Sequence, residues 1–330
     1  MNEPDRHSAV PPTYAVVTPV RDEAEHFCRT ADSLVAQTYR PREWIVVDDG
    51  SLDGTRELAE AYAAAHEWIR VISSENQHHR RGRGAPIVRA FEAGRAQLAA
   101  RPEVVVKLDG DIFLPPHYFA WVAATFARVP RAGIVGGVSF VHDGRRWVED
   151  GAPDNVNGVA KAYRSDCLDD IGGLRASMGW DGIDEYAARA RGWGVHVLTE
   201  LSILHYQRPG SKQRWHRARW EEGRGNHYMG YTWSWLLVRA AYRMATQRPR
   251  GVGGLVLLLA FVWAHALRYP QVEDVAARDE LRREQRARLR RLLRGTRAVP
   301  APALPDGGPA FWASQWEDVA ASVGRPAPPA

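Results

Sequence analysis

The apolar residues of this chain fall into short, separated runs. Tyr14 to Pro19 is the first, and after a polar break a helical spacing of apolar positions covers Ala24 to Gln37. Trp44 to Val47 forms a second run, followed at once by Asp48-Asp49-Gly50-Ser51 and a helical stretch from Thr55 to Ala65. Trp68 to Ile72, a helix over Ile87 to Ala99, and Val104 to Leu108 continue the pattern. The runs are rich in β-branched residues and lack polar alternation, as strands covered on both faces do. Strand then helix, repeated, predicts a mostly parallel sheet flanked by helices, an α/β fold of the Rossmann-like kind. Later, Glu185 to Arg191 reads as a helix stopped by Gly192 and Gly194, and Val195 to Leu204 as a strand.

In an open parallel sheet, ligands bind beyond the carboxyl ends of the strands. Pro19, Arg21 and Glu23 follow the first predicted strand, Asp48 and Asp49 the second, and Asp109-Gly110-Asp111 the fourth. Asp48 or Asp53 alone could equally be a turn former or a helix cap. Three acid-bearing loops on one sheet edge point instead to a site. Asp109 and Asp111, either side of a glycine turn, suit a hard cation, Mg²⁺ or Mn²⁺, shared with phosphate oxygens. Such a cation would neutralise charge on a departing nucleoside diphosphate. Nothing matches G-x-x-x-x-G-K-[ST], and no G-x-G-x-x-G follows the first strand, so ATPase and dinucleotide oxidoreductase readings lose their support.

Several motifs now stand in order: Val17-Thr-Pro-Val-Arg-Asp-Glu23, Gln37-Thr-Tyr39, Val47-Asp-Asp-Gly-Ser51, Gly82-Arg-Gly-Ala85, Leu108-Asp-Gly-Asp111 and Gly179-Trp-Asp-Gly-Ile-Asp-Glu185. Over roughly Tyr14 to Tyr231 the chain resembles the inverting glycosyltransferases of family 2, which have the GT-A fold. The resemblance implies transfer of a sugar from a nucleotide diphosphate donor to a hydroxyl acceptor on a glycan, a lipid carrier or a small molecule. It implies that Thr18, Pro19, Val20, Arg21, Glu23 and Asp49 hold the nucleoside. It also implies that Asp109, with Gly110, lies near the ribose or metal and that Asp111 binds the metal. Arg21 stands where many relatives have asparagine. Two other functions remain on the page: a sugar nucleotidyltransferase, whose usual Gly-x-Gly-Thr-Arg loop is lacking after Val17, and a non-catalytic nucleotide-sugar-binding protein.

The glycine-rich stretch Gly82 to Gly94 opens a helix, and there Arg83, Gly84 and neighbouring amides either face a diphosphate or form a solvated loop. Glycosyl transfer also needs a base for the acceptor's proton. The family's catalytic aspartate aligns best with Asp184, expected at the start of the Glu185 helix, with Asp181 and Glu185 as alternatives. A helix N-cap is the structural reading of the same residue. His205, after the late strand, is either a third metal ligand or a satisfied core histidine.

Composition changes the picture little. The chain of 330 residues is 45% hydrophobic and can bury one sizeable core. Cys28 and Cys167 make neither a disulfide framework nor a zinc cluster. Its net charge of +5 is carried by arginine, lysine occurring only at 107, 161 and 212. Seven arginines against the single acid Glu284 crowd Leu281 to Arg294, so the basic excess is local and does not point to nucleic acid. Residues 1–12 read as a disordered, polar, proline-rich start without a signal peptide, which suggests a cytoplasmic enzyme.

Residues 13–205 are expected to form the catalytic domain and 206–250 an acceptor-side or interface region. Trp215, Trp220, Tyr228, Tyr231, Trp233 and Trp235 there suit an acceptor groove, a membrane interface or a small second core. Gly251 to Leu267 is almost wholly apolar but short for a span, and predicts a helix lying on a membrane or packed on the enzyme. With the basic run, residues 251–298 would place the protein peripherally on the inner face of the cell membrane, against anionic headgroups; a solvated basic helix is the alternative. Residues 299–330 read as a proline- and alanine-rich linker and tail.

Overall fold

The computed structural model describes residues 10–74, 84–142, 145–151, 154–206, 215–246 and 251–294, with residues 315 and 322 besides. The predicted alternation is present from the start: β1 (Tyr14–Val20), α1 (Ala24–Val35), β2 (Glu43–Asp48), α2 (Thr55–Ala65), β3 (Ile69–Ser73), α3 (Ala85–Ala96) and β4 (Val104–Leu108). β3, β2, β1 and β4 lie side by side and parallel, in that order. Tyr14, Val16 and Val20 face one hydrophobic cluster with Phe27, Trp44 and Tyr62, while Val17, Ile45 and Val47 face another with Phe91. Successive side chains point to opposite sides of a strand, so a sheet covered on both sides needs apolar residues at every position.

The second half of the sheet is mixed. It is built from β5 (Ile112–Phe113), α4 (Tyr118–Arg128), β6 (Ala132–His142), β7 (Trp147–Glu149), β8 (Ala160–Arg164), α5 (Ser165–Asp170), α6 (Trp180–Ala190) and β9 (Gly194–His205). β8 runs antiparallel to β4, β6 antiparallel to β8, β9 parallel to β6, and β5 antiparallel to β9. β7 pairs with β6 off this path. In the β4–β8 pair Lys107 lies directly opposite Lys161, and both are buried.

α6 begins at Trp180, five residues before the expected start. Gly179 takes a left-handed conformation (φ 86°) that turns the chain into the helix, a geometry costly for any other residue. Asp184 therefore lies in the second turn of α6 and is not its cap.

Four helices follow: α7 (Trp215–Tyr228), α8 (Trp233–Thr246), α9 (Val252–Ala266) and α10 (Val275–Leu293). α7, α8 and α9 pack together around Leu236, Ala240, Leu257 and Phe261. No helix of the described residues is long and apolar enough to cross a membrane. α10 packs along α6, with Ala277, Leu281 and Gln285 buried. Asp274 at its start binds Arg175 and Arg191, each at 3.0 Å, so the basic segment is docked on the body of the protein with only its outer face in solvent.

Candidate active site

The carboxyl ends of β1, β2 and β4 meet as the sequence anticipated. Val20 is in register with Asp48, and Asp49 donates its backbone N–H to the Val20 carbonyl at 2.9 Å. The Arg21 guanidinium lies 3.6 Å from Asp49. A Cβ built on Gly110 would lie 2.7 Å from Val20 and 3.8 Å from the Glu23 side chain, so the acidic loop after β4 is pressed against the β1 end. Thr18 is buried and its hydroxyl accepts from the Trp44 indole at 2.9 Å, which fixes the strand beneath the site. Asp48 accepts from the Ser51 N–H, and Asp53 accepts from both the N–H and the hydroxyl of Thr55. These two aspartates build the turn.

Asp109 and Asp111 diverge. Asp109 is paired with the Lys107 ammonium, which also donates to the Gly158 carbonyl at 2.7 Å and lies 5.2 Å from the Trp180 ring centroid. Burial pushes the Asp109 carboxyl up and Asp111 adds to this, against the pull of Lys107. Asp111 faces His205, with Nε2 3.2 Å from its Oδ2. Burial lowers the imidazole pKa, but the adjacent Asp111 outweighs it and the net direction is upward. His205 Nδ1 is buried with no hydrogen-bond partner among the described residues. His205 is the last residue of β9, so strand pairing with β5 brings it back beside the Asp111 loop. Among the described residues, no three acidic, histidine or cysteine side chains assemble as a ligand group.

The three acids of α6 have different surroundings. Asp184 is 2% exposed; it accepts from Lys161 at 3.0 and 3.1 Å, from the Tyr163 hydroxyl at 2.6 Å and from the Glu185 N–H at 2.7 Å. Glu185 is fully buried, 3.0 Å from Lys161 and 3.2 Å from Arg189, and accepts from the Val156 N–H. Burial raises its carboxyl to about 7, although Lys161 and Arg189 pull the other way. Asp181 is exposed. A Cβ on Gly158 would lie 3.0 Å from Asp181 Cβ, and the Gly158 carbonyl is the one that holds Lys107 beside Asp109. Asp181 thus borders the acidic loop, while Asp184 and Glu185 point into the protein.

Gly84 initiates α3 (φ 77°), and a Cβ there would come 2.8 Å from the Ser177 carbonyl, close to the entry of α6. Arg83 lies outside the described residues. The sequence reading passed over Lys161, Tyr163 and Trp180. Their signal was a lysine inside an apolar run, as at Val159-Ala-Lys-Ala-Tyr163, where a buried ammonium implies a buried acid.

Residues 15–169 match the model of glycosyl transferase family 2. That segment is just under half of the chain, and over it the chain is similar to this family. The matched segment holds every predicted donor-side residue and the Asp109-Gly110-Asp111 loop, and it ends before α6. An uncharacterised glycosyltransferase of Nostoc sp. is 34% identical over 113 residues, 34% of this chain and 32% of that protein. Glycosyltransferase AglE of Haloferax volcanii is 29% identical over 131 residues, 38% of this chain and 39% of that protein. The chain thus aligns with about a third of the length of these curated relatives. Among solved structures, the mannosyltransferase PcManGT of Pyrobaculum calidifontis, in complex with GDP-Man and Mn²⁺, superposes with a TM-score of 0.51. It covers 94% of this chain and 85% of that one at 19% identity, a likeness of fold: the chain has the GT-A architecture.

Proposed function

We propose that this chain is an inverting glycosyltransferase that moves a sugar from a nucleoside diphosphate to a hydroxyl acceptor. The observation that carries the reading is the meeting of the β1, β2 and β4 ends with Asp111, His205 and the exposed Asp181 on one sheet edge. The family match supplies the reaction class. Thr18 to Glu23 and Asp49 hold the nucleoside, and Arg21, held by Asp49, adds a positive charge at the mouth.

Asp111 and His205 are the protein ligands for a divalent cation. A carboxylate and an imidazole already face each other at 3.2 Å, a pair that suits Mn²⁺ or Mg²⁺. Such cations are commonly held by one or two protein groups, with phosphate oxygens and water filling the rest. A two-ligand site is therefore sufficient. When bound, the cation stabilises negative charge on the departing diphosphate. Asp109 orders the loop through Lys107 and stays available to a ribose hydroxyl.

For the base we favour Asp181 over Asp184. The base must reach the acceptor hydroxyl, and both Asp184 oxygens are already occupied inside the core. Asp181 takes the acceptor's proton as its oxygen forms a bond to the anomeric carbon. The bond from that carbon to the diphosphate breaks on the opposite face, and the leaving group keeps the electron pair. One displacement inverts the anomeric centre. Screening GDP- and UDP-sugars for binding and transfer, with Mn²⁺, Mg²⁺ or chelator, tests this reading. Metal-dependent binding of at least one donor, with an inverted product, is expected; failure of every donor with either metal would overturn it.

A further inference from the structure

α9 has two unlike faces. Gly254, Leu257, Ala260, Phe261 and Ala264 are buried against α7 and α8. The approach is close: a Cβ on Gly254 would come 2.3 Å from the Ala240 carbonyl, and one on Gly223 2.3 Å from the Leu257 carbonyl. The other face carries Val252, Leu255, Leu259 and Val262, spaced three and four residues apart, and each leaves 46–52% of its surface open. They form a bare aliphatic stripe about 15 Å long, at 1.5 Å per residue. Leu267 beyond the helix end, and Leu237 and Tyr242 on α8, are more exposed still. Of the large hydrophobic side chains exposed in the described residues, most lie between Trp215 and Tyr269. A cluster on this scale marks a surface that meets something apolar.

Charge indicates what that is. From Gly223 to Val272 the sequence holds six arginines and no aspartate or glutamate. Arg224 and Arg268 are exposed at the α9 end of the stripe, and Arg224 lies over the Tyr269 ring at 5.1 Å beside the exposed Trp263. Aliphatic side chains along a helix, with tryptophan, tyrosine and exposed arginine at its margin, match the interface of an anionic bilayer. Arg239 and Arg243 are answered by Glu222 of α7, so among the described residues the positive charge left at the margin of the stripe is that of Arg224 and Arg268. We propose that the outer face of α9, with the adjoining part of α8, rests in the surface of an anionic lipid membrane and does not cross it. The basic helix α10 is docked on α6 and is not the principal contact.

The inference is independent of the catalytic reading, because vesicle binding is read without turnover. The full-length protein is sedimented with phosphatidylcholine vesicles, with and without about one third phosphatidylglycerol, beside the variant Leu255→Glu/Leu259→Glu. Circular dichroism and thermal melting of both proteins confirm that the variant folds, and a milder Leu259→Ser covers the case where it does not. Binding to the anionic vesicles is expected, at least about tenfold weaker in the double variant and partly reduced by salt. Equal binding by folded variant and wild type would overturn the proposal. So would failure of the wild type to bind, including the case where sedimentation velocity shows a dimer that the double variant disrupts.

Discussion

Replacing Asp184 by asparagine separates a structural acid from a chemical one. In the native protein this carboxylate answers a buried ammonium with both oxygens, at 3.0 and 3.1 Å, and accepts the Tyr163 hydroxyl at 2.6 Å. An asparagine side chain is neutral and has one accepting oxygen, so its NH₂ must face either Lys161, donor against donor, or Tyr163, whose hydroxyl must then turn and accept; in both cases the buried ammonium loses its ionised partner. Breaking a buried ion pair by removing one partner costs about 3–5 kcal/mol. Lys161 keeps Glu185 at 3.0 Å and the Asp181 carbonyl at 2.6 Å, which puts the loss near the lower end, about 3 kcal/mol. At roughly 2–4 °C per kcal/mol for a domain of this size, the melting temperature should fall by about 6–12 °C. Adding Lys161→Met should recover part of the loss, because the uncompensated ammonium goes with it. The assay is thermal and urea unfolding of the single and double variants, with transfer measured well below the transition. Transfer by folded Asp184→Asn should stay within about tenfold of wild type, well short of the 10²–10⁴-fold loss of a base. A variant that melts like wild type and no longer transfers would refute the argument and return the base to Asp184.

Two further outcomes are expected. Asp111→Asn should abolish metal-dependent donor binding, measured by calorimetry with and without Mn²⁺, because the cation loses its ionised ligand; wild-type affinity in the variant would remove Asp111 from the metal site. Glu185, whose carboxyl rises from 4.5 to about 7 mainly through burial, binds its proton more tightly folded than unfolded. Its contribution to stability is complete below about pH 4.5 and is lost as pH rises through about 7. Urea unfolding across that window should show the decline, and Glu185→Gln should flatten it; an identical slope in the variant would assign the titration elsewhere.

The donor side of this protein is legible in its sequence because its physics is local. β1, β2 and β4 are apolar at successive positions since both sheet faces are covered, and the residues at their ends follow directly. Asp48 and Asp53 build turns, a use that a single aspartate after a strand has whatever else is near. The acceptor side depends on distant partners. β8 carries a buried lysine, Lys161, in its apolar run, and only α6, about twenty residues later, supplies the acids that make it tolerable. The start of α6 was missed because Gly179 and Gly182 look like loop residues, although one provides a left-handed turn and the other sits within the helix against Met229. The same difference moves Asp184 from a helix start into the second turn of α6. Burial, which distinguishes Asp181 from Asp184, is a property of the packed structure.

The most direct test of the catalytic reading is the transfer rate of Asp181→Asn at saturating donor and acceptor. Asp181 is exposed, so the variant should fold and melt like wild type and bind its donor with unchanged affinity. Loss of the base should slow transfer by about 10²–10⁴-fold. Undiminished transfer by Asp181→Asn would contradict the account.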